Sequence, residues 1–380
     1  MSQSTIFHGA RKVDVEGVVD DFWMLVRGDT IAQVGAGAPP PADVTVDLTG
    51  RTITPGFIDL HCHGGGGHTF DDGDDEIMAA LATHRAHGTT RSVISVVSNP
   101  IAMLRSTLET VAEIAADDPL VLGAHLEGPY LATERRGAHH PDHLREVDAI
   151  ALDTLIGAGG GAIRQVTLAP EGAGAMDAID RLVGDGIVVA LGHTDCDYET
   201  ARRAFDRGAT LLTHAFNGMR GIHHRAPGPV TAALFDERVR LELVLDGVHV
   251  HPDVARLAFL AAPGRIALVT DAMAAAGSSD GDYRLGSLNV SVRNGRALLS
   301  GTSTMAGSTL TQDAALRCAI EGVGLDPVDA VAALTWVPAQ ALALGDSFGR
   351  LAPGCVADVV VMNNDWEVEE VWAAGLRVTG

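Results

Sequence analysis

Lysine is nearly absent: Lys12 stands alone in a chain of 380 residues. The remaining basic residues are arginines, and 27 basic side chains face 49 acidic ones for a formal net charge of −22. Phosphate backbones are bound through basic patches, so this balance argues against a nucleic-acid partner. It argues equally against an anionic membrane surface. A small anionic substrate stays compatible with it if a few cations are focused in one cleft. Cysteine is also scarce: Cys62, Cys196, Cys318 and Cys355 are scattered and form no C-x-x-C pair. No apolar run is long and uninterrupted enough to span a bilayer, and MSQSTIFHGARKV lacks the apolar core of a signal peptide. The expectation is a soluble, cytoplasmic protein with reduced thiols.

What is present is ample apolar material. Hydrophobic residues make up 46% of the chain and the mean hydropathy is +0.16, enough for one large domain and a smaller one. Residues 1–54 break into short strand-like runs, STIFHGARKV, FWMLVRGDTIAQVG and DVTVDLTGRTITP, separated by Gly, Asp and APPPAD. Residues 348–380 have the same character, which predicts a small β-sandwich domain built from both chain ends. Between them, residues 55–347 alternate strand-like and amphipathic helical segments, the pattern of βαβ units. Eight strands are predicted: FIDLH, TRSVISVVS, LVLGAHL, IRQVTLA, GIVVALG, ATLLTHA, RLELVLDG and RIALVTD. Eight such units close into an α/β, TIM-like (β/α)8 barrel. A hairpin insertion, DYRLGSLNVSVRNGRALLSG, is predicted after the eighth strand.

Six of the apolar runs end in a potential metal ligand or acid. In a parallel barrel the C-terminal strand ends converge on one face, where active sites are built. His61 and His63 are two apart and therefore share a face, while Cys62 points away. Glu127, in HLEGPY, can bridge two cations or complete one site with His193 and His214; mixed N/O sets of this kind suit borderline and hard divalent metals. The plain alternative for Glu127 is a surface or capping carboxylate. His125 lies deeper on the same strand and fits a supporting role. Asp271, in VTDAM, is placed as general base for a bound water, with a helix N-cap as the plain alternative.

The strings PGFIDLHCHG, HLEGPYL, RGAHHP, LGHT, THAFNGM, HRAPG, DGVHV, VTDAM and STMAGSTLT run in one order from residue 55 to about 310. They resemble the N-acetylglucosamine-6-phosphate deacetylases of the amidohydrolase superfamily, and with the β-rich ends the resemblance covers essentially the whole chain. It implies metal ligation by His61, His63, Glu127, His193, His214 and Asp271, with one or two divalent ions per subunit, zinc foremost and Fe²⁺ or another divalent as alternatives. The H-x-H pair favours the two-metal form. The resemblance further implies catalytic roles for Asp271 and for His139, which would polarise the acetyl carbonyl. Substrate contacts are implied for Ala138, His139, Asn217, Gly218, Arg225, Asp246, His249, Met305, Ala306 and Gly307. Gly218 replaces a commoner Ala, a change expected to matter little if the contact is through backbone. A homodimer is implied, with Arg225 reaching the neighbouring active site.

The lysine count separates relatives. Dihydroorotase-like enzymes bridge their metals with a carbamylated lysine on a barrel strand, and Lys12 lies outside the predicted barrel; Glu127 can bridge instead. The implied reaction is hydrolysis of N-acetyl-D-glucosamine 6-phosphate to D-glucosamine 6-phosphate and acetate, in amino-sugar catabolism and cell-wall recycling. Alternatives are a deacetylase of another N-acetyl hexosamine phosphate, a D-aminoacylase-like amidohydrolase, or a non-catalytic barrel that serves as a scaffold. No ligand position is missing, which speaks against the last.

Overall fold

The computed structural model describes residues 3–379. The chain forms two compact units. One comprises the residues up to Asp59, His84–Arg91 and the residues from Gln312 on; the other comprises Leu60–Thr83 and Ser92–Thr311.

In the first unit, strands from both chain ends join one eight-stranded sheet. Ser4–Asp14 is its hub. It pairs antiparallel with Gly17–Arg27, and along its other edge runs parallel first to Val44–Asp47 and then to Thr52–Pro55. Thr52–Pro55 pairs in turn with Val359–Met362 from the far end of the chain. Alternation along Gly17–Arg27 turns Phe22, Met24 and Val26 inward, where they pack with Phe7, Ile31, Ile53, Val359 and Val361. Phe7 meets Trp372 edge-to-face at 4.9 Å between ring centroids. Lys12 is buried here against Asp14, with Nζ 2.9 Å from Oδ1. The one lysine is thus held in the chain-end sheet by an acid of its own strand.

The barrel strands are β1 (Phe57–Cys62), β2 (Thr89–Val96), β3 (Val121–Glu127), β4 (Ile163–Leu168), β5 (Val188–Leu191), β6 (Leu211–Leu212), β7 (Arg240–Val244) and β8 (Ile266–Val269). They lie side by side in chain order, and each pair from β2 to β8 is parallel. The seam between β1 and β8 is closed just past β8: Asp271 N–H donates to His61 O and His63 N–H donates to Ala272 O, both at 2.8 Å. All eight predicted strands are present. They read as near-continuous apolar runs because a parallel barrel buries both of their faces.

Helices Asp74–Ala86, Ile101–Asp117, Ala175–Gly184, Tyr198–Asp206 and Pro252–Ala261 fall on the predicted amphipathic segments. Two others, Ala149–Ala158 and Gly228–Leu234, carried no such signal. AIALDTLIGA is apolar around most of its circumference, and GPVTAAL spans only seven residues, six of them buried. The first has a local start signal in Asp148, whose Oδ1 accepts from Ile150 and Ala151 N–H at 2.8 and 3.0 Å. The insertion after β8 has three strands rather than two: Gly281–Leu285, Leu288–Arg293 and Arg296–Leu299. Its inward residues Leu285, Val290, Val292 and Ala297 pack with Val97 and Met273, which carries the following Thr304–Gly307 segment to the barrel mouth. Among the described residues no helix is long and apolar enough to cross a membrane.

Candidate metal centre and active site

The side chains expected to ligate metal all stand at strand exits, and the backbone there is unusual. His193, His214 and Asp271 have φ of +46°, +28° and +48°. Left-handed backbone costs a non-glycine residue about 1–3 kcal/mol, and it persists where the surroundings over-determine it. Backbone hydrogen bonds on these residues or the ones that follow them supply that constraint. Thr194 N–H donates to Gly218 O at 3.0 Å, Ala215 N–H to Glu242 O at 2.8 Å, and Ser308 N–H to Asp271 O at 2.7 Å. Each kink turns the side chain from the strand direction into the mouth of the barrel.

Glu127, at the end of β3, sits between two histidine pairs. Its Oε1 lies 3.1 Å from His193 Nε2 and 3.2 Å from His214 Nε2. His61 Nε2 is 3.4 Å from Oε1, and His63 Nε2 is 3.3 Å from Oε2. Within the pairs, Nε2 faces Nε2 at 3.0 Å for His61/His63 and again for His193/His214. Asp271 Oδ1 stands 3.4 Å from His63 and 3.6 Å from His61.

The outer ring nitrogens fix what the inner ones present. His61 Nδ1 donates to Glu242 Oε2 at 3.1 Å, and His193 Nδ1 donates to Arg135 O at 2.8 Å. In its neutral form each ring then carries its lone pair on Nε2. Lone pairs aimed at one another across 3.0 Å need a cation between them. A tetrahedral ion with ligand bonds of about 2.0–2.1 Å has ligand–ligand edges of about 3.3–3.4 Å, so the donor set and its spacing fit a divalent metal on either side of Glu127. Otherwise protons neutralise the cluster. Burial opposes charge on His61 and His63, but Glu127 and Asp271 outweigh it, holding His61 well above the usual imidazole range and His63 at about 9. Burial likewise opposes charge on Glu127 and Asp271, and His61 foremost drives both well below the ordinary carboxylate range.

His139 differs from these. Ser98 N–H donates to its Nδ1 at 3.2 Å, so its proton sits on Nε2, 3.5 Å from Glu127 Oε2. Burial lowers its pKa to about 4, so the ring is neutral. Deeper in the barrel, His125 spends both nitrogens on Ser95 Oγ (2.9 Å) and Thr167 Oγ1 (2.7 Å), and burial keeps it neutral. It is a structural histidine beneath the cluster.

Above the cluster is a cavity of about 220 Å³. His63, Glu127, His193, His214 and Asp271 form its floor, and Ala138, His139, Asn217, Gly218, His249, Met305 and Gly307 line it. His249 is paired with Asp246, Nδ1 to Oδ2 at 2.7 Å. Burial opposes its charge, but this carboxylate outweighs burial and raises its pKa, which favours the charged form of the imidazole facing the cavity. Three residues expected at the substrate are not on the wall. Asp246 acts through His249, Ala306 is fully buried behind the wall, and Arg225 is solvent-exposed on the loop after β6. Gly218 has φ +62°, and a Cβ there would come 3.0 Å from His193 Nδ1. The glycine therefore makes room for the His193 ring, beyond any backbone contact to substrate.

The sequence reading passed over Glu242, Gln165, Ser98 and the carbonyl of Arg135. For Glu242 a signal existed: a carboxylate in the middle of the apolar run RLELV is costly unless partnered. Arg135 acts through its carbonyl and Ser98 partly through its backbone N–H, and backbone groups leave no side-chain signature.

A parallel barrel with H-x-H, Glu, His, His and Asp at its strand exits defines a metal-dependent hydrolase. Residues 52–378 match the model of the amidohydrolase family. The chain is 37% identical to an N-acetylgalactosamine-6-phosphate deacetylase of Escherichia coli O157:H7, over 97% of this chain and 98% of that one. It is 36% identical to an N-acetylglucosamine-6-phosphate deacetylase of Vibrio furnissii, over 86% and 82%. Among solved structures, a mutant N-acetyl-D-glucosamine-6-phosphate deacetylase from Mycobacterium smegmatis, in complex with N-acetyl-D-glucosamine-6-phosphate, superposes with a TM-score of 0.94 at 41% identity, covering 100% of both chains. The deacetylase from Thermotoga maritima gives 0.90 at 28% identity, covering 98% and 99%. The chain belongs to the amidohydrolase family and, within it, to the N-acetylglucosamine-6-phosphate deacetylases.

Proposed function

We propose that the protein hydrolyses the N-acetyl group of N-acetyl-D-glucosamine 6-phosphate, releasing acetate and D-glucosamine 6-phosphate. The observation that carries this reading is the convergence of an ionised Asp271, a neutral His139 and a metal-fitting ligand set on one small cavity, with the Asp246-paired His249 in its wall. Glu127, His193 and His214 would hold one divalent ion, and His61 and His63, sharing Glu127 and Asp271, a second. Such an ion supplies Lewis acidity and lowers the pKa of water. Asp271 is held ionised, so it takes a proton from the attacking water and returns it to the leaving amine. His139 donates from Nε2 to the acetyl oxygen as charge develops there. His249 and the backbone around Asn217 and Gly218 orient the sugar, which places the amide for attack.

Zinc fits the ligand set, as do Fe²⁺ and other divalents; zinc is the proposed occupant. The working form is a cytoplasmic homodimer. The exposure of Arg225, off the wall of its own cavity, supports its reaching the phosphate in a neighbour's site. A galacto-configured substrate is the second reading, favoured by the near-complete coverage of the Escherichia coli relative. Acetate release from the gluco and galacto 6-phosphates and from unphosphorylated N-acetylglucosamine, with metal analysis of the same sample, tests these readings. Activity confined to the galacto epimer would replace the first with the second, and equal activity without phosphate would remove the phosphosugar assignment. Two ions in the metal-saturated enzyme are expected, falling to one in the His61→Ala, His63→Ala double variant.

A further inference from the structure

Glu242 lies within β7 and is fully buried. Three N–H groups from three other parts of the barrel converge on its carboxylate. Oε1 accepts from Gln165 Nε2, in β4, at 2.7 Å. Oε2 accepts from His61 Nδ1, in β1, at 3.1 Å, and from the backbone N–H of His214, just past β6, at 3.3 Å. The Gln165 amide is committed to this contact: its Oε1 is buried with no hydrogen-bond partner. A single carboxylate oxygen thereby joins one histidine of the H-x-H pair to one of the His193/His214 pair.

The consequences for the two halves differ. Glu242 reaches His214 only through its backbone N–H, and the buried His214 Nδ1, like that of His63, has no hydrogen-bond partner; the ring preset on this side is that of His193, fixed by Arg135 O without Glu242. His63 has a buried Nδ1 with no hydrogen-bond partner, so nothing around that nitrogen selects its tautomer. His61 is the member of the H-x-H pair whose ring the fold presets, and Glu242 sets it, with the proton on Nδ1 and the lone pair on Nε2 facing His63 and Glu127. Outer partners of ligating histidines fix their tautomer and orientation and raise their basicity.

We propose that Glu242, itself steadied by Gln165, is the positioning residue that makes the His61/His63 side able to hold an ion, while the Glu127/His193/His214 side has its preset ring in His193 and meets Glu242 only at the His214 backbone. This rests on the reading above that His61 and His63 ligate.

The test compares metal-saturated wild type with Glu242→Gln, an isosteric change that replaces the anionic acceptor. Both are dialysed against zinc buffered at a series of free concentrations, and ions per chain are counted by mass spectrometry. The His61 tautomer is read from long-range ¹H–¹⁵N correlations in ¹⁵N-histidine-labelled protein. Wild type should hold two ions. The variant should lose one about 10–100-fold more readily, keep the other at wild-type affinity, and lose the fixed Nδ1–H signature of His61. Equal retention of both ions with an unchanged tautomer would overturn the proposal, and so would parallel weakening of both ions, the mark of general loosening. A wild type that never exceeds one ion would instead sink the H-x-H ligation and this proposal with it. If Glu242→Gln does not fold, Gln165→Met leaves the His61 contact but unties the other oxygen. It should weaken the same ion several-fold, and unchanged retention there would also overturn the assignment.

Discussion

His139 turns Nε2, with its proton, toward Glu127, because the backbone N–H of Ser98 occupies Nδ1 at 3.2 Å. Ser98 Oγ also contacts Nδ1, at 2.9 Å, and this hold by one residue separates His139 from the histidines around it. Glu127, His139 and His193 place ligand atoms close enough to hold an ion, but a nitrogen that carries a proton cannot ligate. His139→Ala should therefore lower kcat about 10²–10³-fold, the scale of losing one donor to a developing oxyanion, with metal content unchanged. His139→Gln, which keeps an N–H donor, should recover part of the loss. An ion missing from His139→Ala would make the residue a ligand and remove it from carbonyl polarisation. The ring's pKa of about 4, set by burial, adds that no acid limb from His139 should appear in kcat/KM between about pH 6 and 8.

Asp271 stands 3.4 Å from His63 and is held well below the usual carboxylate range, His61 outweighing the cost of its burial. It is therefore ionised across the neutral range and able to accept a proton. Asp271→Asn should lower kcat by about 10²–10⁴, with the Glu127/His193/His214 ion retained. A variant with more than about a tenth of wild-type activity would take Asp271 out of proton transfer.

The cluster of candidate ligands was legible because parallel strands end in a plane. An imidazole or carboxylate right after an apolar run must then face the barrel mouth, whatever the exact register. This holds for His63, His193, His214 and Asp271, and the left-handed φ at the last three only sharpens it. The eight strands were legible for the same reason. Glu242, Gln165 and Ser98 were not, because their roles depend on which neighbour stands opposite, and that is settled by register between strands distant in sequence. Ala149–Ala158 escaped because a helix apolar around most of its surface has no periodic contrast. Arg225 and Asp246 could be named from the family strings, but whether they touch the cavity or stand off it could not.

The loop that holds His193 is tied down by a charge cluster whose contribution follows pH. Arg135 Nε donates to Asp195 Oδ1 at 2.8 Å, Arg220 binds the other oxygen, and Asp195 N–H donates to Glu171 at 2.6 Å. Arg220 first and Arg135 second lower the Asp195 pKa to about 2. A depressed carboxylate pKa stabilises the fold above the unfolded value, about 3.9, and that stabilisation is lost as pH falls through the folded value. Asp195→Asn should cost about 1 kcal/mol or less at neutral pH, since the cluster is partly exposed. The Tm difference from wild type should be flat from about pH 8 to 5 and should shrink below about pH 4. A difference that grows on acidification would mean the cluster is not held by the Asp195 charge.

Arg225 is exposed and stands away from the cavity of its own chain. It lies on the loop after β6 with its backbone N–H donating to His223 Nδ1 at 3.3 Å, and it is absent from the wall of its own cavity. If it reads phosphate across a dimer, Arg225→Ala should reduce kcat/KM for the phosphosugar by about 10–100-fold, the scale of a charge-assisted contact, and barely change the slow reaction of the unphosphorylated sugar. Mixing then decides between the two geometries. Arg225→Ala chains keep Asp271, and Asp271→Asn chains keep Arg225. After dissociation and reassembly of equal amounts, half of the dimers are mixed and one of their two sites is whole, so about a quarter of all sites should regain full activity. In the opposite geometry, with Arg225 acting in its own subunit, mixing restores nothing beyond the average of the two variants. That outcome, with mixed dimers verified by mass, would return Arg225 to its own subunit and require the loop to close over the cavity.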